Sequence, residues 1–239
     1  MDLKKTLKKQ YPYKTELHAH TTPASPCSQI TPEEMVEIYR KNCYDAVVIT
    51  NHFALDLFKG APKKEAIDKY LSDYEITYEE GKRNGIKVYL GAEVRFAENS
   101  NDYLIYGADR AVLETVYDYL DKGLEAFRKE VKLSKSVFIQ AHPSRDRMTK
   151  VSPLLLDGME VFNMHPGHAS RNAITGKIVR DNPHLISTAG SDFHHPGLGH
   201  EAISALRTSE LPEDSFGIAS ILKSRDYLLE IAGNSIILP

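Results

Sequence analysis

Short apolar strand patterns alternate with amphipathic helical patterns along almost the whole chain. The strand-like segments are TELHAH, DAVVITNH, IKVYLGAEVRF, DYLIYG, SVFIQAH, GMEVFN and HLISTAGSD. This alternation is typical of a parallel sheet with crossover helices, and the number of units favours closure into a barrel. A chain of 239 residues with 41% hydrophobic residues can bury one sizeable core. We therefore predict a single α/β barrel domain over residues 1–239.

The helical patterns carry recognisable end signals. Thr31, Pro32 and Glu34 predict a capping box with proline at the first helical position. A second helix is predicted from Pro62 to Asn84, with Gly85 as its C-terminal cap. Further helices are predicted at residues 111–132, 170–180 and 216–231.

Charge and cysteine content narrow the expected partners and compartment. The formal net charge of -3 gives no broad basic field that would draw the protein onto nucleic acid. Two cysteines do not make a disulfide framework, and the first ten residues lack a secretory apolar stretch. No window reaches the roughly 18 apolar residues of a membrane span. We expect a cytoplasmic protein that acts on a small molecule.

Metal-binding residue types recur at or just after the predicted strand ends, which form the catalytic face of such a barrel. They are His18, His20, His52, Glu93, His142, Asp192 and His194. Side chains alternate along a strand, so His18 and His20 point the same way, as do Asp192 and His194. We interpret the set as one metal centre.

The size of this set indicates more than one ion. Five imidazoles and two carboxylates exceed what one tetrahedral zinc uses, and Glu93 can bridge two ions that share a hydroxide. These ligand types suit zinc, iron and manganese alike. A lone HxH pair could instead be half of a structural zinc site. A buried glutamate in an apolar strand, however, carries a large desolvation cost unless a cation lies nearby.

Six motifs in order resemble the polymerase and histidinol phosphatase (PHP) superfamily. They are ELHAHTT, VVITNH, GAEVRF, QAHPSR, EVFN and AGSDFHHPGLGH, and they span Glu16 to Ala205. The resemblance implies a distorted (β/α)7 TIM-like barrel, with two or three divalent ions, that hydrolyses phosphate esters.

The resemblance also implies a role for each ligand. His18 and His20 would hold the first ion with Glu93 and Asp192, and Glu93 would bridge to a second ion held by His142. The remaining site or sites would use His52 and His194. Among these residues, the catalytic centre would comprise His18, His20, Glu93, Asp192 and His194.

Two positions depart from the family pattern. Members often carry an acidic residue or histidine shortly after the HxH and an aspartate before the second-motif histidine. In this chain the segment after the HxH is PASPCS, and the residue before the second-motif histidine is Asn51. The usual hard ligand of a third ion is therefore absent, and Cys27 is the available soft substitute. Cys43 is interpreted as a packing residue.

Arg145, directly after a metal-binding strand, is the first candidate for a phosphate clamp, because its planar fork matches phosphate oxygens. Arg95 follows Glu93 by two residues and is a second candidate. His195 and His200 flank the last motif and could contact substrate or protonate the leaving oxygen. Three further histidines complete the chain: His165 and His168 are placed near the barrel mouth, and His184 is given no role.

The sequence thus predicts a metal-dependent phosphoesterase that hydrolyses a phosphate monoester through a metal-bridging hydroxide. Its substrate could be a small monoester, as for a histidinol phosphatase, a nucleotide, or an oligonucleotide end. One alternative is an amidohydrolase-type C–N or C–O hydrolase, which usually bridges its metals with a carboxylated lysine. A second alternative is a metal-binding scaffold without catalysis, against which the nearly complete ligand set argues.

Overall fold

The computed structural model of the protein describes residues 2–197 and 201–239. Its α-helices are α1 (Leu3–Gln10), α2 (Pro32–Lys41), α3 (Leu55–Phe58), α4 (Lys63–Asn84), α5 (Arg110–Tyr117), α6 (Leu124–Glu130), α7 (Asn172–Asp181) and α8 (Ser215–Ser224). Its strands are β1 (Tyr13–Ala19), β2 (Ala46–Ile49), β3 (His52–Phe53), β4 (Lys87–Arg95), β5 (Asp102–Tyr106), β6 (Val137–Gln140), β7 (Gly158–Asn163), β8 (Ile186–Gly190), β9 (Ser204–Thr208), β10 (Leu228–Ile231) and β11 (Ser235–Ile237). None of the helices in these two ranges has the length and apolar character that a membrane span needs.

All the strands belong to one curled sheet that forms a half-barrel. Its order is β11-β10-β9-β1-β2-β4-β5-β6-β7-β8, and β3 pairs with β4 outside this path. Beyond the end of β8, Phe193 forms a parallel bridge with Ala19 of β1. This bridge draws the two ends of the seven-strand series β1, β2, β4, β5, β6, β7 and β8 together at one rim. The predicted distorted α/β barrel is confirmed.

The expectation of a parallel sheet is wrong for β5 and for the last three strands. Strand β5 runs antiparallel to both β4 and β6. Only residues 96–101 separate β4 from β5, and a parallel pairing would need a longer crossover. Strands β9, β10 and β11 form an antiparallel extension beside β1.

Two of the predicted helices have the predicted caps. Helix α2 begins with the capping box between Thr31 and Glu34. Helix α4 ends at Gly85, which adopts a left-handed conformation with a φ of 72°. Two other helices were predicted too long. Residues 111–132 split into α5 and α6 before Gly123, which has a φ of 85°, and the last helix ends at Ser224 before β10 begins.

Three buried apolar clusters pack around the sheet and leave one polar interior rim. The apolar stripe of residues 111–132, predicted as one helix, enters one cluster through Leu113, Val116, Leu120 and Phe127, although two helices and the turn between them carry it. At the rim where β1, β4, β6 and β8 end, the buried residues are instead histidines and carboxylates. The fold therefore places a charged centre at the carboxyl ends of these four strands.

Candidate metal centre

The fold brings all seven predicted metal ligands together around Glu93, which is 1% exposed. One Glu93 oxygen, Oε1, lies 3.3 Å from His18 Nε2 and 3.0 Å from His142 Nε2. The other, Oε2, lies 3.4 Å from His20 Nε2 and 2.8 Å from His52 Nδ1. A carboxylate with two imidazoles at each oxygen has the arrangement that a bridging ligand requires.

Asp192 joins the same cluster from the opposite side. Its Oδ1 lies 3.5 Å from the Nε2 atoms of both His18 and His20. The same oxygen lies 3.4 Å from His194 Nδ1. Asp192 has a φ of 53°, and His142 has a φ of 30°. Residues other than glycine rarely adopt such backbone angles, and strained backbone of this kind is concentrated at functional sites.

Hydrogen bonds fix which ring nitrogen of His18 is free. Its Nδ1 lies 2.8 Å from Glu160 Oε1, and Glu160 also accepts the backbone N–H of His142 at 3.0 Å. A carboxylate only accepts, so His18 Nδ1 carries the proton in the neutral ring. His18 Nε2 therefore faces Glu93 and Asp192 and is the ring nitrogen available to a cation.

Several buried atoms at the centre lack a hydrogen-bond partner among the described residues. They include His18 Nε2 and His20 Nε2. Lone pairs that converge in a buried position without donors are costly unless a cation satisfies them. The ligand atoms of His18, His20 and Asp192 all lie within 4.8 Å of one another, as do those of His20, His52 and His194. The donor set therefore fits divalent ions.

The electrostatics of the cluster keep its carboxylates ionised. Burial alone would raise the pKa of Glu93, but His18, His52 and the hydrogen bond from His142 hold that pKa well below its usual range. Burial opposes the ionisation of Asp192 in the same way, and His18, His20 and His194 lower its pKa well below the ordinary value. Both carboxylates are therefore ionised at neutral pH and able to coordinate a cation.

Asp102 is a member of the cluster that the sequence interpretation missed. One carboxylate oxygen of Asp102 and the ligand atoms of His52 and Glu93 all lie within 4.8 Å of one another. The Oδ2 atom of Asp102 lies 3.8 Å from His142 Nε2. Asp102 begins β5, and a parallel β5 would have placed it at the opposite rim. The signal that could have found it was the short connection after β4, which predicts a hairpin rather than a crossover.

Cys27 lies at the mouth of the centre. Burial raises the pKa of its thiol, but hydrogen bonds with His194 and His52 lower that pKa by more, so that the net value is about 6. The thiol thus contacts the two histidines that the family resemblance left for a third site. Cys43 is exposed, so the expectation that it is a packing residue is wrong.

A cavity of about 310 Å³ opens onto the cluster. Its lining includes five of the seven predicted metal ligands and all three predicted substrate-binding residues, Arg95, Arg145 and His195. His165 and His168 also line it. His184 instead lies within 3.2 Å of the backbone oxygen of Pro153, outside this lining. His200 lies outside the described residues.

The two arginines differ in how far they are already engaged. Arg95 donates to Asp102 through Nε at 2.7 Å and Nη2 at 2.8 Å. Arg145 donates through Nη2 to Asp192 and Asn163, both at 2.7 Å. Its Nε is buried without a partner among the described residues. Among the described residues, the hydrogen bonds of Arg145 to Asp192 and Asn163 thus use Nη2 alone, while the fork of Arg95 is directed at Asp102.

Known proteins resemble this chain in sequence and in fold. The family model of the PHP domain matches residues 16–165. A PolC-type DNA polymerase III from Oceanobacillus iheyensis is 25% identical over 205 residues, which are 82% of this chain. The chain spans only 12% of that curated relative's length.

Two solved structures share the fold at low sequence identity. A two-domain protein from Bacteroides vulgatus containing a predicted PHP-like metal-dependent phosphoesterase superposes with a TM-score of 0.59 at 16% identity, covering 92% of this chain and 65% of that one. An amidohydrolase from Chromobacterium violaceum, with bound sulfate and no metal, gives a TM-score of 0.50 at 15% identity, covering 91% and 98%. At these identities the likeness concerns the fold.

Proposed function

This chain belongs to the PHP domain family, and from that premise we propose that it is a metal-dependent phosphoesterase that hydrolyses a phosphate monoester. One observation carries the proposal. Glu93 lies between four imidazoles, and the buried Nε2 atoms of His18 and His20 have no hydrogen-bond partner among the described residues.

The ligand sets divide around Glu93. His18, His20, Glu93 and Asp192 would hold one ion, and Glu93 would share a second with His142 and Asp102. His52 and His194 would complete a further site. When bound, such ions supply a water-derived nucleophile at neutral pH and neutralise charge on the phosphoryl oxygens.

The chain's own residues then bind and orient the substrate. Arg145 lines the cavity and would hold a phosphoryl oxygen, as guanidinium groups do for phosphate. His195 lines the same cavity and is placed to give a proton to the leaving alcohol oxygen.

The cavity volume and the charge favour a small phosphorylated substrate. A volume of about 310 Å³ is at the lower end of small-molecule sites, and the chain has a formal net charge of -3. The similarity to a PolC-type DNA polymerase III makes the end of an oligonucleotide the second candidate. An amidohydrolase activity is less favoured, because the bridging position carries Glu93 rather than a lysine.

Phosphate release tests the proposal. Enzyme stripped with a chelator and resupplied with Mn²⁺, Fe²⁺ or Zn²⁺ is assayed on histidinol phosphate, nucleotides and 5′-phosphorylated oligonucleotides. We expect metal-dependent phosphate release from one class. His20→Ala should lose both bound metal and activity, whereas His184→Ala should retain both. Full turnover by the metal-free enzyme, or hydrolysis of amides alone, would contradict the proposal.

A further inference from the structure

His20 Nδ1 faces a serine on the loop that follows β1. It lies 3.1 Å from Ser25 Oγ, and the Ser25 hydroxyl also accepts the backbone N–H of His52 at 2.9 Å. The Ser25 proton is directed to Asn51 Oδ1 at 2.8 Å. Since Ser25 has only one proton to donate, it accepts from His20. Nδ1 therefore carries the ring proton, and Nε2 presents its lone pair to the metal centre.

The orientation of the Asn51 amide is fixed by a backbone donor. Its Oδ1 lies 2.7 Å from the N–H of Thr21, which can only donate, so this atom is the oxygen. Its Nδ2 consequently faces acceptors, with Thr21 Oγ1 at 2.9 Å and Asp73 Oδ2 at 2.7 Å. An acceptor facing Asn51 Nδ2 therefore keeps Oδ1 turned toward Ser25, where it accepts the hydroxyl proton.

Asp73 of α4 supplies that acceptor from outside the sheet. Its Oδ2 accepts from the Thr21 hydroxyl as well as from Asn51. The connected residues are buried, with Asp73 3%, Asn51 1%, and Thr21 and Ser25 0% exposed. A chain of hydrogen bonds therefore runs from helix α4 through Asn51 and Ser25 to the far nitrogen of a candidate metal ligand.

We infer that Asp73 is a positioning residue for the metal centre, which acts through Asn51 and Ser25 to fix the orientation and tautomer of His20. The inference rests on the proposed function in one respect, that His20 Nε2 binds a metal ion. Partners of this kind hold a ligating imidazole in its binding tautomer, and their loss costs about 10- to 100-fold in metal affinity. Helix α4 thereby sets the geometry of a site to which it contributes no ligand.

The test combines single variants with a swap. Ser25→Ala and Asp73→Asn should each weaken Zn²⁺ binding by about 10- to 100-fold in a chelator competition. Asn51→Asp should do the same, because two carboxylates would then face each other. The double variant Asn51→Asp/Asp73→Asn again pairs one carboxylate with one amide, so it should recover most of the affinity.

A second readout reports the tautomer directly. In metal-free protein labelled with ¹⁵N-histidine, long-range ¹H–¹⁵N correlations should show His20 protonated at Nδ1 in the wild type and mixed in Ser25→Ala. Thr77→Val is the matched control. Thr77 is fully buried in α4, one turn from Asp73, and its hydroxyl donates only to the Asp73 backbone oxygen.

The outcomes separate the two proposals. Wild-type Zn²⁺ affinity with an unchanged His20 tautomer in both Ser25→Ala and Asp73→Asn would overturn the inference. An equal loss in Thr77→Val, or a swap that recovers nothing, would also overturn it, because general helix packing would then be the cause. A wild-type protein that binds Zn²⁺ but releases no phosphate would count against the proposed function alone.

Discussion

Glu93 is the residue around which the centre is organised. A single buried carboxylate is expensive, yet here four imidazole nitrogens lie within 3.4 Å of its two oxygens. Glu160 and Ser25 direct the protons of His18 and His20 away from it. The centre is therefore arranged in advance for a cation, since both rings turn Nε2 inward and hold Nδ1 in hydrogen bonds on the far side.

Arg145 carries the residue-scale prediction. Arg145→Ala removes the guanidinium group that lines the cavity, so kcat/KM for the phosphorylated substrate should fall by about 10²- to 10³-fold. Bound metal should not decrease, because Asp192 loses only a competing partner. Steady-state kinetics and metal analysis of the same preparations measure both effects.

The neighbouring arginine provides the control for this change. Arg147 is exposed and lies outside the cavity lining, so Arg147→Ala removes one positive charge near the site without a contact to it. It should keep kcat/KM within about twofold, as expected for a surface substitution. Equal losses in the two variants would assign the effect to net charge rather than to phosphate binding.

At the scale of elements, the site was more predictable than the sheet. Ligands such as His18, His142 and Asp192 end parallel strands, and the strand-end rule placed them together before any coordinates. Asp102 was missed because its strand runs the other way. Strand direction depends on the short β4–β5 connection, which periodicity does not report.

Helix bounds failed for a related physical reason. The stripe from Leu113 to Phe127 is buried as predicted, but its apolar spacing cannot distinguish one helix from two helices that share a face. The break near Gly123 depends on a left-handed backbone angle. Glycine permits that angle without requiring it. The strand β10 was missed because one helical pattern was extended over residues 216–231.

Close packing of β8 against β1 gives the element-scale prediction. A Cβ at Gly190 would lie 2.5 Å from Glu160 Oε1 and would also collide with His18 Cβ. Gly190→Ala should therefore cost about 1 to 3 kcal/mol of unfolding free energy by overpacking. It should also weaken metal binding, because it separates His18 from Glu160. Calorimetry and chelator competition measure the two effects.

Gly176→Ala is the matched control for that change. Gly176 lies within α7, where a new Cβ meets only Val161 Cγ1 at 3.6 Å. Alanine in a helix interior should stabilise the protein by about 0.5 to 1 kcal/mol relative to glycine. Destabilisation by both variants would show that the close approach at Gly190 is not the cause.

The whole molecule should fold without metal. Three buried apolar clusters support the sheet independently of the centre. Within the centre, imidazole and carboxylate groups pair with one another and so limit the cost of their burial. Metal binding therefore adds stability to a domain that is already formed, unlike small zinc domains, whose folding requires the ion.

Thermal unfolding with and without metal tests this view of the molecule. Metal at 100 times its Kd stabilises the folded state by about 2.7 kcal/mol, which raises Tm by roughly 5 to 10 °C in a domain of this size. The chelated protein should still unfold cooperatively, at the lower Tm, and His20→Ala should show little metal-dependent shift. Loss of the cooperative transition on chelation would mean that the ions are part of the folding core, and an equal shift in His20→Ala would place the stabilising metal elsewhere.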